Sequence, residues 1–288
     1  MKYGIAVEYG DKKGRVENMV SYFKYGFLYI LLLVYLFPFY LVVINSFKNR
    51  TEIISNPLGI ISKMDLSNFV NAFKRMNYLD AFINSLIITT ISVLIIALFS
   101  SMTAYFFVRS KWKINKLLFL MMVTSMLIPF QSIMIPLVRI YGATLKLLDN
   151  KWILIYMYMG FGSSLSVFVY HGFIKSISVE LEEAAMIDGC TRVQTFFKIV
   201  FPLLRATTLT LIILNVLWIW NDFLLPSLVL ISKANRTLPL STFYFHGTYT
   251  SDYGLLMAGL LLTIIPIIVF FLLMQKHIIS GIMQGAIK

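Results

Sequence analysis

The sequence predicts an all-α polytopic membrane protein with six spanning helices, and three observations carry that prediction. Only 13% of the residues are charged while 59% are hydrophobic, whereas ordinary soluble domains carry about 25% charged residues. Six apolar runs reach the roughly 20 residues that a helix needs to cross the hydrocarbon core at about 1.5 Å per residue: 25–47, 84–107, 117–138, 152–171, 207–231 and 254–275. None of them alternates strictly, and a backbone in lipid must satisfy its polar groups within a helix or in a closed barrel. Helices are therefore expected throughout.

Taken in order, residues 1–24 are polar and mixed in charge and form an N-terminal cytoplasmic segment. The run after them is long enough to span and lacks a small-x-small cleavage site, which makes it a retained signal anchor. The spanning domain extends over 25–275. Its longest loop, 48–83, carries two short surface-helix patterns, at Thr51–Ile54 and at Asp65–Asn77. The turn from Arg109 to Lys116 holds four basic residues and precedes the third run. The fourth run contains Gly160, Gly162, Ser163, Ser164 and Ser166, small residues that let helices approach closely. Prolines at 38, 129, 136, 226 and 266 fall inside the runs, where each removes a backbone donor and can kink a helix. Residues 276–288 form a C-terminal tail.

The net charge of +12 does not describe a nucleic-acid binder, because Lys and Arg sit at segment ends and no basic face is interleaved with aromatics. Orientation in the membrane explains them instead. With the N-terminus inside, the inner segments hold fifteen Lys and Arg and the outer ones the remaining ten. Both termini are therefore assigned to the cytoplasm. The single cysteine, Cys190, then faces a reducing compartment and has no disulfide partner in the chain.

The loop 172–205 reads as a helix, a glycine and a second helix. Ser178 suits an N-cap, and Glu180, Glu182 and Glu183 put negative charge on the first turns, where the dipole favours it. Leu181, Ala184, Ala185 and Asp188 share a face by helical spacing, and paired alanines there permit close approach of another surface. Gly189 suits the left-handed end of the helix, Thr191 and Gln194 form a capping-box pattern, and Pro202 is expected to stop the second helix. Local rules leave two readings: a docking element, or an interfacial loop whose glutamates are a solvated face.

The order Glu183-Ala184-Ala185, Gly189, then Ile199-Val200-Phe201-Pro202 resembles the EAA motif of permease subunits of ATP-binding-cassette importers. The string from Glu182 to Gly189 is similar to the carbohydrate branch, particularly the second permease of maltose-type systems. Asn45-Ser46-Phe47-Lys48, Asn84-Ser85, Pro129-Phe130-Gln131, the stretch from Trp220 to Pro226, Thr237-Leu238-Pro239 and the tail from Gly281 to Lys288 agree in order and spacing, so the resemblance runs from about residue 25 to the end. The chain departs from the pattern at Ser178, Cys190, Phe201 and Ala206, where Pro, Ala, Leu and a second Pro are common.

The resemblance implies a type I importer permease fold and a multi-pass protein of a prokaryotic cell membrane that passes a sugar, in particular an oligosaccharide, into the cytoplasm. It implies that Glu182, Glu183, Ala184, Ala185, Asp188 and Gly189 form the coupling helix of a cytoplasmic ATPase dimer. It also implies a homologous first permease, an extracytoplasmic solute-binding protein, and a tail in which Gly281, Gly285 and Lys288 touch the ATPase.

No Gly-x-x-x-x-Gly-Lys-Ser/Thr sequence is present, so no nest for ATP phosphates is expected here, and ATP and Mg belong to the partner. His171, His246 and His277 are scattered, which indicates no metal site, and no Gly-x-Ser-x-Gly elbow or other catalytic residue is found. A neutral sugar calls for hydrogen-bonding and aromatic side chains, and the candidates are Gln131, Asn215, Trp218, Trp220, Asn221 and Asp222. Asp222 is the lone acid within a predicted span, which marks it for a functional role, although it can equally bond backbone at a bend near Pro226. A glycerol-3-phosphate permease shares the same pattern. An ion-coupled secondary carrier fits less well, for want of repeats and buried relays.

Overall fold

A computed structural model describes residues 2–61, 64–245 and 252–286, with side chains placed for 21–61, 64–243, 245 and 252–275. The described residues form helices joined by short connections. Helix α1 covers Lys2–Ser46, and two short helices, α2 (Arg50–Ser55) and α3 (Ser67–Arg75), occupy the loop where surface helices were expected. Then come α4 (Tyr78–Arg109), α5 (Ile114–Ser125), α6 (Phe130–Val138) and α7 (Lys151–Ser176). They are followed by α8 (Val179–Ile187), α9 (Arg192–Thr195), α10 (Phe201–Leu203), α11 (Arg205–Asn221), α12 (Leu224–Val229), α13 (Leu238–Thr242) and α14 (Tyr253–Ala286).

Four stretches are long and apolar enough to cross a membrane unbroken: Ser21–Ser46, Tyr78–Arg109, Lys151–Ser176 and Tyr253–Gln275. The other two predicted spans are not straight. The third breaks between α5 and α6, whose axes differ by 96°. The amides of Met126, Leu127 and Ile128 bond carbonyls three residues back, tightening the last turn, and Pro129 then lies in extended conformation. Proline supplies no donor and disfavours helix at the residue before it, so the helix has to restart. The fifth span ends at Asn221 rather than continuing to residue 231, because Asp222 is extended and accepts the amide of Leu224 on its own carboxylate. At its other end, the helix beginning at Arg192 runs past Pro202 to Leu203 and turns by 76° at Leu204.

The most extensive packing joins α4 and α7. It is built on small side chains: Ser92, Ala97, Ser100, Ser101 and Ala104 of α4 are buried, as are Gly162, Ser164 and Ser166 of α7. Of the two glycines of α7 expected to allow close approach, Gly162 does so, since a Cβ there would meet Ile96 Cδ1 at 2.6 Å. Gly160 faces open space. One apolar cluster fills the middle of this pair with Ile88, Ile96, Leu154 and Tyr158, together with Val229 and Leu240. A second joins α3, α11 and α14 through Ala72, Trp220, Leu255 and Ala258, and a third lies at the α8 end. By contrast α1 is exposed along most of its apolar length, as a helix facing lipid or another chain would be.

The end opposite α8 is interlocked by hydrogen bonds. Asn84 donates to the carbonyls of Ala234 and Arg236 (2.8 and 3.0 Å) and accepts from Lys151 Nζ (3.0 Å), while Ser85 accepts the amide of Leu238 (2.8 Å). Lys48, fully buried, donates to the carbonyls of Asn56 and Gly59 (3.0 and 2.6 Å). Asn68 donates to the carbonyls of Ser46 and Lys48, both at 2.9 Å.

Candidate functional site

The helix-glycine-helix element forms as local chemistry dictates. Ser178 Oγ accepts the amide of Glu180, which starts α8. Gly189, at φ +88°, reverses the chain in the left-handed region where a side chain is strained. The Thr191–Gln194 capping box is complete, with bonds of 2.8 and 3.3 Å. Beyond it Phe196, Val200 and Leu204 are buried against Ala104 of α4 and against Val167, Tyr170 and Ile174 of α7. The hairpin is thus fastened to the ends of two spans, while α8 lies beneath them.

Sequence spacing did not decide which face of α8 looks out. Glu180, Glu183, Ala184 and Ile187 are exposed, with Ile187 at 86%, and their spacing makes one stripe. Glu182 and Ala185 point inward, at 3% and 7% exposure. The expected alanine pair is therefore split: Ala184 faces out and Ala185 faces the bundle. Glu182, expected on the docking face, is likewise turned inward here. Its Oε1 accepts from Arg109 Nε at 2.8 Å and lies 2.7 Å from Nη2 in the ion pair, and its Oε2 accepts from Tyr105 Oη at 2.9 Å. Asp188 is exposed at the end of α8. Arg109 and Tyr105 were not found by sequence reasoning; the signal available was their spacing of four on one helix, followed by an acid on a short helix.

The six substrate-path candidates are not brought together. Asn215 is buried, donating to the Leu211 carbonyl (2.8 Å) and to Ser166 Oγ (3.4 Å). Trp220 is buried at 6% in the second apolar cluster, edge-on to Phe82. Both are therefore closed off from solvent in this arrangement of the chain. Asp222 caps the start of α12 and accepts from Tyr158 Oη at 2.9 Å, and Trp218 lies T-shaped against that tyrosine. Asn221 and Gln131 are exposed.

A cavity of about 410 Å³ opens beside the break between α5 and α6, lined by Ser125, Phe130, Tyr141, Tyr156, Phe161 and Ser164 among others. Sequence reasoning missed it, because a straight third span would have filled it. Gly281 and Gly285 fall within α14, while Lys288 and His246 lie outside the described residues.

Residues 94–284 match the model of the family described as the binding-protein-dependent transport system inner membrane component. The chain is 46% identical to the probable starch degradation products transport system permease protein AmyC of Thermoanaerobacterium thermosulfurigenes, over 90% of this chain and 94% of that one. It is 36% identical to the multiple sugar-binding transport system permease protein MsmG of Streptococcus mutans, over 94% and 99%. In fold it is similar to a chain of the crystal structure of a bacterial transporter of the ATP-binding-cassette class involved in importing alginate, with a TM-score of 0.78 at 19% identity, covering 91% of this chain and 97% of that one.

Proposed function

This chain belongs to the family of inner membrane components of binding-protein-dependent transport systems, and from that premise we propose how its parts serve the import of a sugar. The chain is the permease of an ATP-binding-cassette importer, and its cargo is an oligosaccharide. The relatives named for starch degradation products and for multiple sugars support that cargo over glycerol-3-phosphate. It contributes no chemistry of its own. A cytoplasmic ATPase dimer binds and hydrolyses ATP with Mg, a homologous first permease completes the pathway, and an extracytoplasmic solute-binding protein delivers the sugar. Both termini and α8 lie on the cytoplasmic side.

The observation that carries this reading is the exposed stripe Glu180, Glu183, Ala184 and Ile187 on a helix at the end of the spans, closed by Gly189. An apolar tip flanked by carboxylates suits a groove on a soluble partner, and small Ala184 lets that partner approach. Closing of the ATPases on ATP then displaces α8, and its contacts differ between the two states, as any ligand-driven shift requires. Gly281, Gly285 and Lys288 extend the same contact.

The sugar passes the open side of the break between α5 and α6, where Tyr141, Tyr156 and Phe161 offer faces and Ser125 and Ser164 offer hydroxyls. Gln131, Trp218, Asn221 and Asp222 supply further polar and aromatic contacts along the path. The test uses the assembled importer in proteoliposomes. Replacing Glu183 by Lys or Gly189 by Val should release the ATPase and lower uptake by at least about tenfold, with sugar binding by the soluble receptor unchanged. Full uptake in both variants would end the docking assignment.

A further inference from the structure

Glu182 is the acid of α8 that the proposed ATPase face does not use, and its partners belong to two other elements. One guanidinium, that of Arg109 at the end of α4, donates through Nε to Glu182 Oε1 and forms the ion pair with it. Its Nη2 also donates to the carbonyls of Ile177 (2.9 Å) and Ile174 (3.2 Å) at the end of α7. Tyr105, one turn earlier on α4, donates to the second carboxylate oxygen, and its ring lies 5.2 Å from that of Phe196 beyond the hairpin. The side chains of Glu182 and Arg109 are 4% and 17% exposed. Buried charges of this kind are tolerated only when paired and fully hydrogen-bonded, and removing one partner strands the other.

An apolar contact between α8 and the spans could slide. A guanidinium that donates through Nε to one carboxylate oxygen and through Nη2 to two backbone carbonyls, with a phenol on the other carboxylate oxygen, fixes distance and angle together. The link ends on α4 and α7, the most extensively packed pair in the bundle, so a displacement delivered there moves both.

We propose that Glu182, Arg109 and Tyr105 are positioning residues forming the rigid link through which α8 and the spans move as one, and that Glu182 is not an ATPase contact. The proposal rests on the reading that α8 docks the ATPase. Because coupling between sites is reciprocal, a link that carries ATPase closure toward the far side also carries receptor docking back to the ATPase.

The experiment therefore needs no knowledge of the sugar. In the complete importer in proteoliposomes, ATP hydrolysis is measured with and without the solute-binding protein, and the ATPase retained on purification is quantified. Arg109→Gln and Glu182→Gln should keep the ATPase bound, while the receptor-induced stimulation falls by about tenfold. Tyr105→Phe, which removes one hydroxyl, should lower it less. The exchange Glu182→Arg with Arg109→Glu should recover part of the stimulation, as expected of directly interacting groups. Recovery stays partial because a carboxylate cannot donate to the Ile174 and Ile177 carbonyls. Unchanged stimulation in the single variants would overturn the link, as would a loss that the exchange does not relieve. Failure of the docking reading looks different: the ATPase would stay bound to a Glu183→Lys complex.

Discussion

Asp149 precedes α7 in the left-handed region, at φ +60°, and its carboxylate is a clamp. Oδ1 accepts from the amides of Ile231 (3.0 Å) and Ser232 (2.9 Å), from Ser232 Oγ (3.0 Å) and from Asn235 Nδ2 (3.1 Å). Burial by itself raises its pKa, but the hydrogen bonds from Ser232, Asn235 and Ile231 outweigh it and hold the carboxyl below its ordinary 3.8. A depressed folded pKa stabilises the structure at pH values above the unfolded one and ceases to as pH falls through the folded one. The protection factors of the Ile231 and Ser232 amides, which correct for the intrinsic pH dependence of exchange, should therefore hold above the ordinary carboxylate range and fall as pH drops through the depressed pKa of Asp149. Asp149→Ala should abolish that pH dependence and destabilise the protein by about 1–3 kcal/mol in thermal unfolding; an unaltered melting curve would show that the clamp contributes nothing. No motif announced Asp149, since its partners lie more than 80 positions away. Asp222 illustrates the converse. An acid amid apolar residues is conspicuous in the sequence, yet it closes a break by bonding Leu224 and Tyr158. Glu182 and Glu183 are adjacent and chemically identical, and only the rotation of α8 sends one inward and the other out.

At the level of elements, the caps and the reversal of the α8 hairpin were read correctly, whereas Pro202 was expected to stop a helix that runs on to Leu203. The cap at Ser178, the glycine at 189 and the Thr191–Gln194 box depend on residues within a few positions of each other, and all three are present. The straightness of the third and fifth spans was not legible in this way. A broken span is as apolar as a continuous one, because both halves face lipid or protein, and hydropathy does not register where backbone bonds are lost. Pro129 was visible in the sequence. Whether proline bends a helix or ends it depends on what fills the space beside it, and here a cavity lies there. The seam between α4 and α7 gives a sharper prediction. A Cβ on Gly162 would lie 2.6 Å from Ile96 Cδ1 and 3.0 Å from Asn215 Oδ1, whereas Gly160 and Gly172 of the same helix have nothing within 4 Å. Gly162→Val should overpack the seam at a cost of about 1–3 kcal/mol, lowering the melting temperature in detergent. Gly160→Ala and Gly172→Ala should leave it level or raise it slightly, since alanine is the better helix former. Equal shifts in all three would mean that the seam does not depend on close approach at Gly162.

For the whole molecule, the two ends of the bundle are built differently. At one end Asn84, Ser85, Lys48, Asn68 and Asp149 tie the connecting segments to the spans through backbone carbonyls and amides, which favours a frame that keeps its shape. At the other, the stripe of α8 is exposed and an ion-paired cluster joins the helix to the spans. Such a body can be rocked from the α8 end without remaking the other, provided that the α8 end faces the compartment that holds ATP. The distribution of Lys and Arg predicts that orientation, and the chain carries a reporter that tests it. Cys190, its single cysteine, is partly exposed directly after Gly189. A membrane-impermeant maleimide should label it in inside-out vesicles and leave it unlabelled in right-side-out ones, while permeabilised right-side-out vesicles recover the signal. Labelling confined to intact right-side-out vesicles would place α8 outside, away from ATP, and the coupling role would fall with it. The same thiol then reads occupancy. Binding of the ATPase to the neighbouring stripe should slow its modification in wild-type complexes but not in Glu183→Lys complexes, so orientation and docking are tested at one residue.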